Sequence, residues 1–142
     1  MDINKVQFDL VSPERLLVSD LYDMIVAPGE EGDFGVLPGH SPLIANLRPG
    51  VIDIYENGVI SDRLFVAGGF AEVTPERMTV LAEEAMPVHE IKAADVEQRL
   101  RDGKLAYEEA DTDAARAEAE AVIAVAEAML AAVERLRGAS GH

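Results

Sequence analysis

The chain has 142 residues, a formal net charge of −15 at pH 7, 49% hydrophobic residues and no cysteine. So acidic a protein is a poor partner for nucleic acid or bare anionic lipid, and without cysteine it has no disulfides, thiolate zinc sites or cysteine nucleophiles. MDINKVQFDLVSPE at the N-terminus lacks the features of a signal peptide, and no apolar run approaches the roughly 20 residues that cross a bilayer, so we expect a soluble cytoplasmic or peripheral protein without direct lipid insertion.

The composition of the chain changes near residue 88. All seven prolines lie at or before Pro87, and eight of the eleven glycines lie at or before Gly69. Alanine-rich runs without proline follow. We therefore predict a β-sandwich domain over residues 1–88 and an α-helical hairpin over residues 89–142.

The first region is typical of an all-β domain. Val6, Phe8 and Leu10 alternate with polar residues, which is the period of a half-buried strand. The Asn57-Gly58 pair predicts a tight hairpin, because both residue types tolerate positive φ. The other predicted strands are residues 15–18, 22–27, 50–55, 59–67, 70–73 and 78–82, with a reverse turn at 74–77. Short strands joined by turns, with no helical spacer, favour a sandwich or flattened barrel.

One stretch, PGEEGDFGVLPGHSPL at residues 28–43, is dense in glycine, proline and acids. A phosphate cradle is disfavoured because the nearby charges are acidic and no lysine is present, and the run is too short for a calcium loop. His40 beside Ser41 lacks an orienting acid, and the three histidines, His40, His89 and His142, are too scattered for a metal cluster. We interpret the stretch as a rigid surface loop that binds another protein's polar surface.

The second region is typical of two antiparallel helices. Val96, Leu100, Gly103 and Tyr107 recur at helical spacing. Glycine costs about 1 kcal/mol relative to alanine inside a helix. On the inner face, however, Gly103 would let a second helix come close.

The second helix is predicted from Ala114 to about Leu136. Residues 111–113 supply a break and an N-cap before it, and Gly138 is the predicted C-terminal stop. Its predicted apolar stripe is Val122, Val125, Met129, Val133 and Leu136. We expect the two apolar stripes to pack on each other, with spare apolar surface left for a further partner.

Two segments, EGDFGVLPGHSPLIANLRPGVI (31–52) and VAGGFAEVTPERMTVLAEEA (66–85), resemble the epsilon subunit of bacterial F-type ATP synthases, the counterpart of the mitochondrial delta subunit. The family pattern is EGxxGxLPGHxPLxxxLxPG followed by GGxxEVxxxxxTxLA. The matching residues are Glu31, Gly32, Gly35, Leu37, Pro38, Gly39, His40, Pro42, Leu43, Leu47, Pro49, Gly50, Gly68, Gly69, Glu72, Val73, Thr79, Leu81 and Ala82. The order of a β domain and a helical hairpin extends the resemblance to the whole chain.

The resemblance implies a flattened β-sandwich of about ten strands followed by a two-helix hairpin. It also implies a non-catalytic subunit of the central rotor stalk, which binds the gamma subunit and the ring of c subunits and couples proton translocation to ATP synthesis. Such a subunit is peripheral, at the cytoplasmic face of the bacterial inner membrane. In many members the hairpin can extend along gamma towards the alpha and beta subunits of the catalytic head and block ATP hydrolysis.

Two groups of residues acquire roles from the resemblance. It implies that Glu31, Gly32 and Asp33 contact the c ring, with Asp33 shorter than the glutamate common in the family. It implies that His40 and Pro42 contact gamma. The alternative is a free-standing regulatory or nucleotide-sensing β-sandwich, which a small ligand alone would stabilise.

The hairpin departs from the ATP-binding pattern (I/L)-D-x-x-R-A of some epsilon subunits. Ala94 precedes Asp95, and the arginine falls four residues on, at Arg99, instead of three. We therefore predict that Asp95 and Arg99 bind ATP weakly or not at all, and that the chain uses no cofactor. The second helix has only three bases, Arg116, Arg135 and Arg137, which argues against docking on acidic loops of the catalytic head.

Overall fold

The computed structural model describes residues 4–140, apart from the side chains of residues 139 and 140. Contacts between Cα atoms divide the chain into two compact units, Met1–Pro87 and Val88–His142. The first unit contains the strands and the second contains the helices. His142, one of the three histidines weighed as a metal ligand, lies outside the described residues.

Over residues 4–87, the first unit contains ten strands. They are β1 (Val6–Val11), β2 (Leu16–Tyr22), β3 (Met24–Gly29), β4 (Gly32–Val36), β5 (Leu43–Leu47), β6 (Gly50–Glu56), β7 (Val59–Val66), β8 (Gly69–Val73), β9 (Arg77–Ala82) and β10 (Ala85–Pro87). They pair in the order β10-β7-β6-β3-β5-β8-β9-β1-β2, with β4 on β3. Except for the parallel pair β1 and β9, all of these pairs are antiparallel.

β3 joins the two layers of this sandwich. In the pairing order, β6, β7 and β10 lie on one side of β3, and β5, β8, β9, β1 and β2 lie on the other. The first half of β3 pairs with β6 through residues 24–26, and Gly29 at its end pairs with Leu47 of β5. One core lies between the layers, because inward residues of both belong to the same buried cluster, among them Ile25, Ile52, Ile54, Leu64, Phe8, Leu10, Met78 and Val80. The predicted flattened sandwich is confirmed.

Several predicted strands and turns are confirmed, and others needed correction. Asn57 and Gly58 form the β6–β7 turn with φ of 54° and 81°. The strand predicted over 22–27 is divided, because β2 ends at Tyr22 and β3 begins at Met24. β4, β5 and β10 were not predicted from the sequence. β4 contains two glycines and an aspartate, and β5 contains an asparagine, all with low strand propensity. Pairing with β3 and β8 outweighs this propensity.

Gly69 allows β8 and β9 to approach closely. Its φ is +124°, and a Cβ atom at this position would lie 2.1 Å from the carbonyl oxygen of Leu81. This glycine is therefore required by both its backbone conformation and its neighbour.

The second unit begins with a 3-10 turn, Val88–Glu90, and continues as α1 (Ala93–Glu109) and α2 (Asp113–Ser140). Thr112 caps α2, since its Oγ1 accepts a hydrogen bond of 3.0 Å from the N–H of Ala115, as the sequence predicted. The predicted stop at Gly138 was wrong, because α2 continues through it to Ser140. A glycine inside a helix costs only about 1 kcal/mol, so it does not by itself end one.

Small residues dominate the buried surface of the hairpin. Among its described side chains, the buried residues are Val96 and Gly103 on α1, and Ala119, Ala126, Met129 and Ala132 on α2. A Cβ atom on Gly103 would lie 3.0 Å from Cγ1 of Ile123 and 3.1 Å from Cγ1 of Val122, so the predicted close approach is confirmed. Tyr107 and Val122, predicted to fill the seam, are 41% and 40% exposed and border it instead. Because α1 and α2 approach closely, the buried positions between them accommodate alanine instead of the larger side chains that the sequence predicted there.

Candidate partner-binding surface

The acids at residues 30–33 lie on the hairpin between β3 and β4. Glu30 and Glu31 form the two-residue turn, and Gly32 and Asp33 are the first residues of β4. All four residues are exposed, and Gly32 has φ of +133°. The stretch predicted as a loop is therefore half strand, and its tip consists of two adjacent glutamates.

Arg48, in the short segment between β5 and β6, ties this turn to that segment. Its Nη1 donates to the carbonyl oxygen of Gly29 at 2.5 Å, and its Nη2 donates to Oδ1 of Asp33 at 2.5 Å. Its backbone N–H donates to the carbonyl oxygen of Pro28 at 3.0 Å. The guanidinium thus offsets the charge of Asp33 and leaves the exposed negative charge of the turn to the two glutamates.

A shallow depression of about 400 Å³ lies beside the turn. It is lined on one side by residues 29–34 and on the other by residues 43–46 of β5. Ile44 is 72% exposed there, and Asn46 accepts a backbone hydrogen bond of 3.0 Å from Glu30. An apolar side chain next to two carboxylates suits a protein loop that presents both an apolar group and hydrogen-bond donors.

The loop that follows β4 is fixed by its own backbone and by the β8–β9 turn. The N–H of Gly39 donates to the carbonyl oxygen of Pro75 at 2.8 Å, and the N–H of His40 donates to that of Leu37 at 3.2 Å. Nδ1 of His40 donates to the carbonyl oxygen of Ser41 at 2.6 Å. Pro42 is exposed and Leu37 is 56% exposed, so this loop presents apolar groups on a fixed backbone.

The two hairpin residues weighed as nucleotide contacts lie in different surroundings. Asp95 is exposed in the first turn of α1, where an acid interacts favourably with the helix dipole. Arg99 is half-buried, and its Nη1 lies 3.6 Å from the sulfur of Met129 on α2.

Across residues 4–140, no group of three or more histidine, aspartate or glutamate side chains is arranged to hold a metal ion. In the same range, no helix combines the length and the apolar character that crossing a membrane requires.

Comparison with known proteins shows the family to which this fold belongs. Residues 5–88 match the family model described as the ATP synthase delta/epsilon chain β-sandwich domain. The chain is 56% identical over 115 residues to the ATP synthase epsilon chain of Paramagnetospirillum magneticum, covering 81% of this chain and 86% of the relative. It is 50% identical over 113 residues to the epsilon chain of Rhodospirillum rubrum, covering 80% and 84%. The chain therefore belongs to the ATP synthase epsilon chain family.

Solved structures share the fold. A chain in the cryo-EM structure of the Euglena gracilis mitochondrial ATP synthase, OSCP/F1/c-ring, matches with a TM-score of 0.78 and 24% identity, covering 92% of this chain and 82% of that chain. A chain in the central stalk/c-ring structure of the Tetrahymena thermophila mitochondrial ATP synthase matches with a TM-score of 0.64 and 13% identity, covering 94% and 99%. At these identities, the two structures show the fold alone.

Arg48 is the residue of this surface that the sequence-based prediction missed. It stands 15 positions after its partner Asp33, and no local pattern connects the two. The one signal was a lone cation in an otherwise acidic region, and this signal has meaning only when the segment between β5 and β6 is known to lie next to β3 and β4.

Proposed function

We propose that the chain is a non-catalytic subunit of the central rotor stalk of an F-type ATP synthase. In this role it binds the gamma subunit and the c ring and helps to couple proton translocation to ATP synthesis. Membership of the epsilon chain family carries the proposal. It is supported by the Tetrahymena structure, a central stalk/c-ring assembly that contains a chain of the same fold. The free-standing sensor is not favoured.

The turn at residues 30–33 is the proposed contact with the c ring. Glu31, Gly32 and Asp33 have these roles by resemblance, and all three are exposed. The turn is also anchored through Arg48, so little conformational entropy is lost when it docks. This combination of exposure and fixed shape suits an interface that must transmit torque.

The loop at residues 37–42 is the proposed contact with gamma. Its anchored backbone presents His40 and Pro42 together with the exposed side chain of Leu37. Apolar groups on a fixed loop suit a stable protein interface.

The helical hairpin is the proposed regulatory element, through an extended form that runs along gamma. The few bases of α2, Arg116, Arg135 and Arg137, argue against its docking on acidic loops of the catalytic head. Its surface retains Leu105 at 53% exposure and Val122 at 40%, which gamma would cover. ATP binding at Asp95 and Arg99 is proposed to be weak or absent, because Arg99 lies against Met129. The subunit is proposed to be peripheral, at the cytoplasmic face of the inner membrane.

The test is binding of the full chain to purified gamma and to a detergent-solubilised c ring. We expect a stoichiometric complex with gamma, and weaker c-ring binding after Glu31→Lys, with the free energy of unfolding changed by no more than about 0.5 kcal/mol. Glu14→Lys, at another exposed acid, is the matched control. No complex with gamma, together with stabilisation by Mg-ATP alone, would favour the sensor instead.

A further inference from the structure

We propose that Arg48 is a positioning residue for the glutamate turn, and that Glu30 and Glu31 together form the charged part of the c-ring contact. This inference rests on the proposed function. It differs from the assignment by resemblance in two ways. It adds Glu30 to the contact, and it assigns Asp33 to the internal anchor of the turn.

The geometry of Arg48 explains why an arginine suits this position. Its two terminal nitrogens reach two acceptors on different strands, the carbonyl oxygen of Gly29 at the end of β3 and the carboxylate of Asp33 in β4. A planar guanidinium presents two such donors in a fixed fork, whereas an ammonium group is a single point charge. Arg48 therefore contacts both strands of the hairpin, one on each side of the turn.

Two backbone hydrogen bonds reinforce the same connection. The N–H of Arg48 donates to Pro28, and the N–H of Glu30 donates to Asn46, each at 3.0 Å. Both of these bonds lie on the β3 side of the turn, and the side chain of Arg48 adds the link to β4 through Asp33.

The positive charge of Arg48 offsets only one of the three acids at residues 30–33. Arg48 and Asp33 form an ion pair whose side chains are 45% and 62% exposed, and it leaves no net charge at the base of the turn. Glu30 and Glu31 carry the remaining charge at the tip. Two adjacent carboxylates beside the exposed Ile44 fit a partner loop that offers backbone N–H groups, amide donors or a basic side chain.

The positioning step can be measured on the isolated full chain by amide hydrogen exchange. Arg48→Met keeps most of the apolar stem and removes the donors, so we expect the Glu30 amide to exchange about threefold to tenfold faster. Arg15→Met removes the same charge at an exposed site and is the matched control. Arg48→Lys, which keeps the charge but loses the fork, should fall between the wild type and Arg48→Met. Unchanged exchange at Glu30 in Arg48→Met would overturn the proposal.

The contact is then tested in the complex with gamma and the c ring. We expect Arg48→Met to weaken c-ring binding about threefold to tenfold, since a looser turn must be ordered on docking, and to leave gamma binding unchanged. A general loss of stability would weaken both interactions, so this difference separates positioning from folding. Glu30→Lys and Glu31→Lys should weaken c-ring binding to a similar degree.

Two failures are distinguishable. If Glu30→Lys and Glu31→Lys leave c-ring binding unchanged, the proposed contact is wrong, and the inference that depends on it is overturned as well. If Glu31→Lys weakens binding but Arg48→Met behaves like Arg15→Met, the proposed function stands and the positioning role of Arg48 is overturned.

Discussion

Gly103 tests whether close helix approach determines the stability of the hairpin. In Gly103→Ala, the helix propensity of the new residue is favourable by about 1 kcal/mol. Opposing it, the added Cβ would meet Cγ1 of Ile123 at 3.0 Å and Cγ1 of Val122 at 3.1 Å, a few tenths of an ångström inside ordinary carbon–carbon contact. Both neighbours are β-branched residues with one preferred χ1 rotamer in a helix, so they move only if the helices separate.

Overpacking of this kind costs about 1–3 kcal/mol. The net effect of Gly103→Ala should therefore be a destabilisation of the hairpin of up to about 2 kcal/mol, against the gain that propensity alone predicts. Urea unfolding followed by circular dichroism at 222 nm measures it. Gly138→Ala is the control, since it adds a Cβ in the same helical pair with no heavy atom of the described residues within 4 Å.

The same substitution at Gly103 is then tested in a variant that lacks both contacting side chains. In a chain with Val122→Ala and Ile123→Ala, both Cγ1 atoms are absent, so Gly103→Ala should become stabilising by up to about 1 kcal/mol. A stabilisation by Gly103→Ala in the wild-type background, equal to that from Gly138→Ala, would refute the reasoning from close approach.

Three further predictions concern the β-sandwich. Gly69→Ala should destabilise it by at least about 3 kcal/mol, because the new Cβ meets the backbone of Leu81. Gly32→Ala has open space among the described residues and should cost only its backbone strain, about 1–3 kcal/mol. Equal urea midpoints for the two variants would contradict this prediction. Hydrogen bonds from the Lys5 side chain and then from the Asn57 N–H hold the pKa of Asp23 below its usual 3.8. This contribution to stability is therefore present above pH 3.8 and is lost as the pH falls through the lowered value, so Asp23→Asn should flatten the acid limb of a stability–pH profile relative to Asp62→Asn. A chain ending at Pro87 should unfold cooperatively as a β protein, and a chain unfolded at neutral pH would show that the sandwich depends on the helices.

Local patterns in the sequence were sufficient for several features of the fold. The alternation of Val6, Phe8 and Leu10, the Asn57-Gly58 turn and the Thr112 cap each depend on residues within a few positions of one another. The same holds for the family motif, whose residues are close together in two segments. Such features depend on short-range sterics and hydrogen bonds, which residue type largely determines.

Other features were decided by partners distant in the sequence. β4 and β5 contain glycine, asparagine or aspartate and become strands because β3 and β8 offer them hydrogen-bonding edges. The alanines of α2 fill the buried positions because Gly103, far earlier in the chain, brings α1 close. Likewise, the turn was recognisable as acidic from its letters, but which acids remain uncompensated depends on Arg48 reaching Gly29 and Asp33. Composition identifies the charges of a surface, whereas tertiary contacts decide which of them are left for a partner.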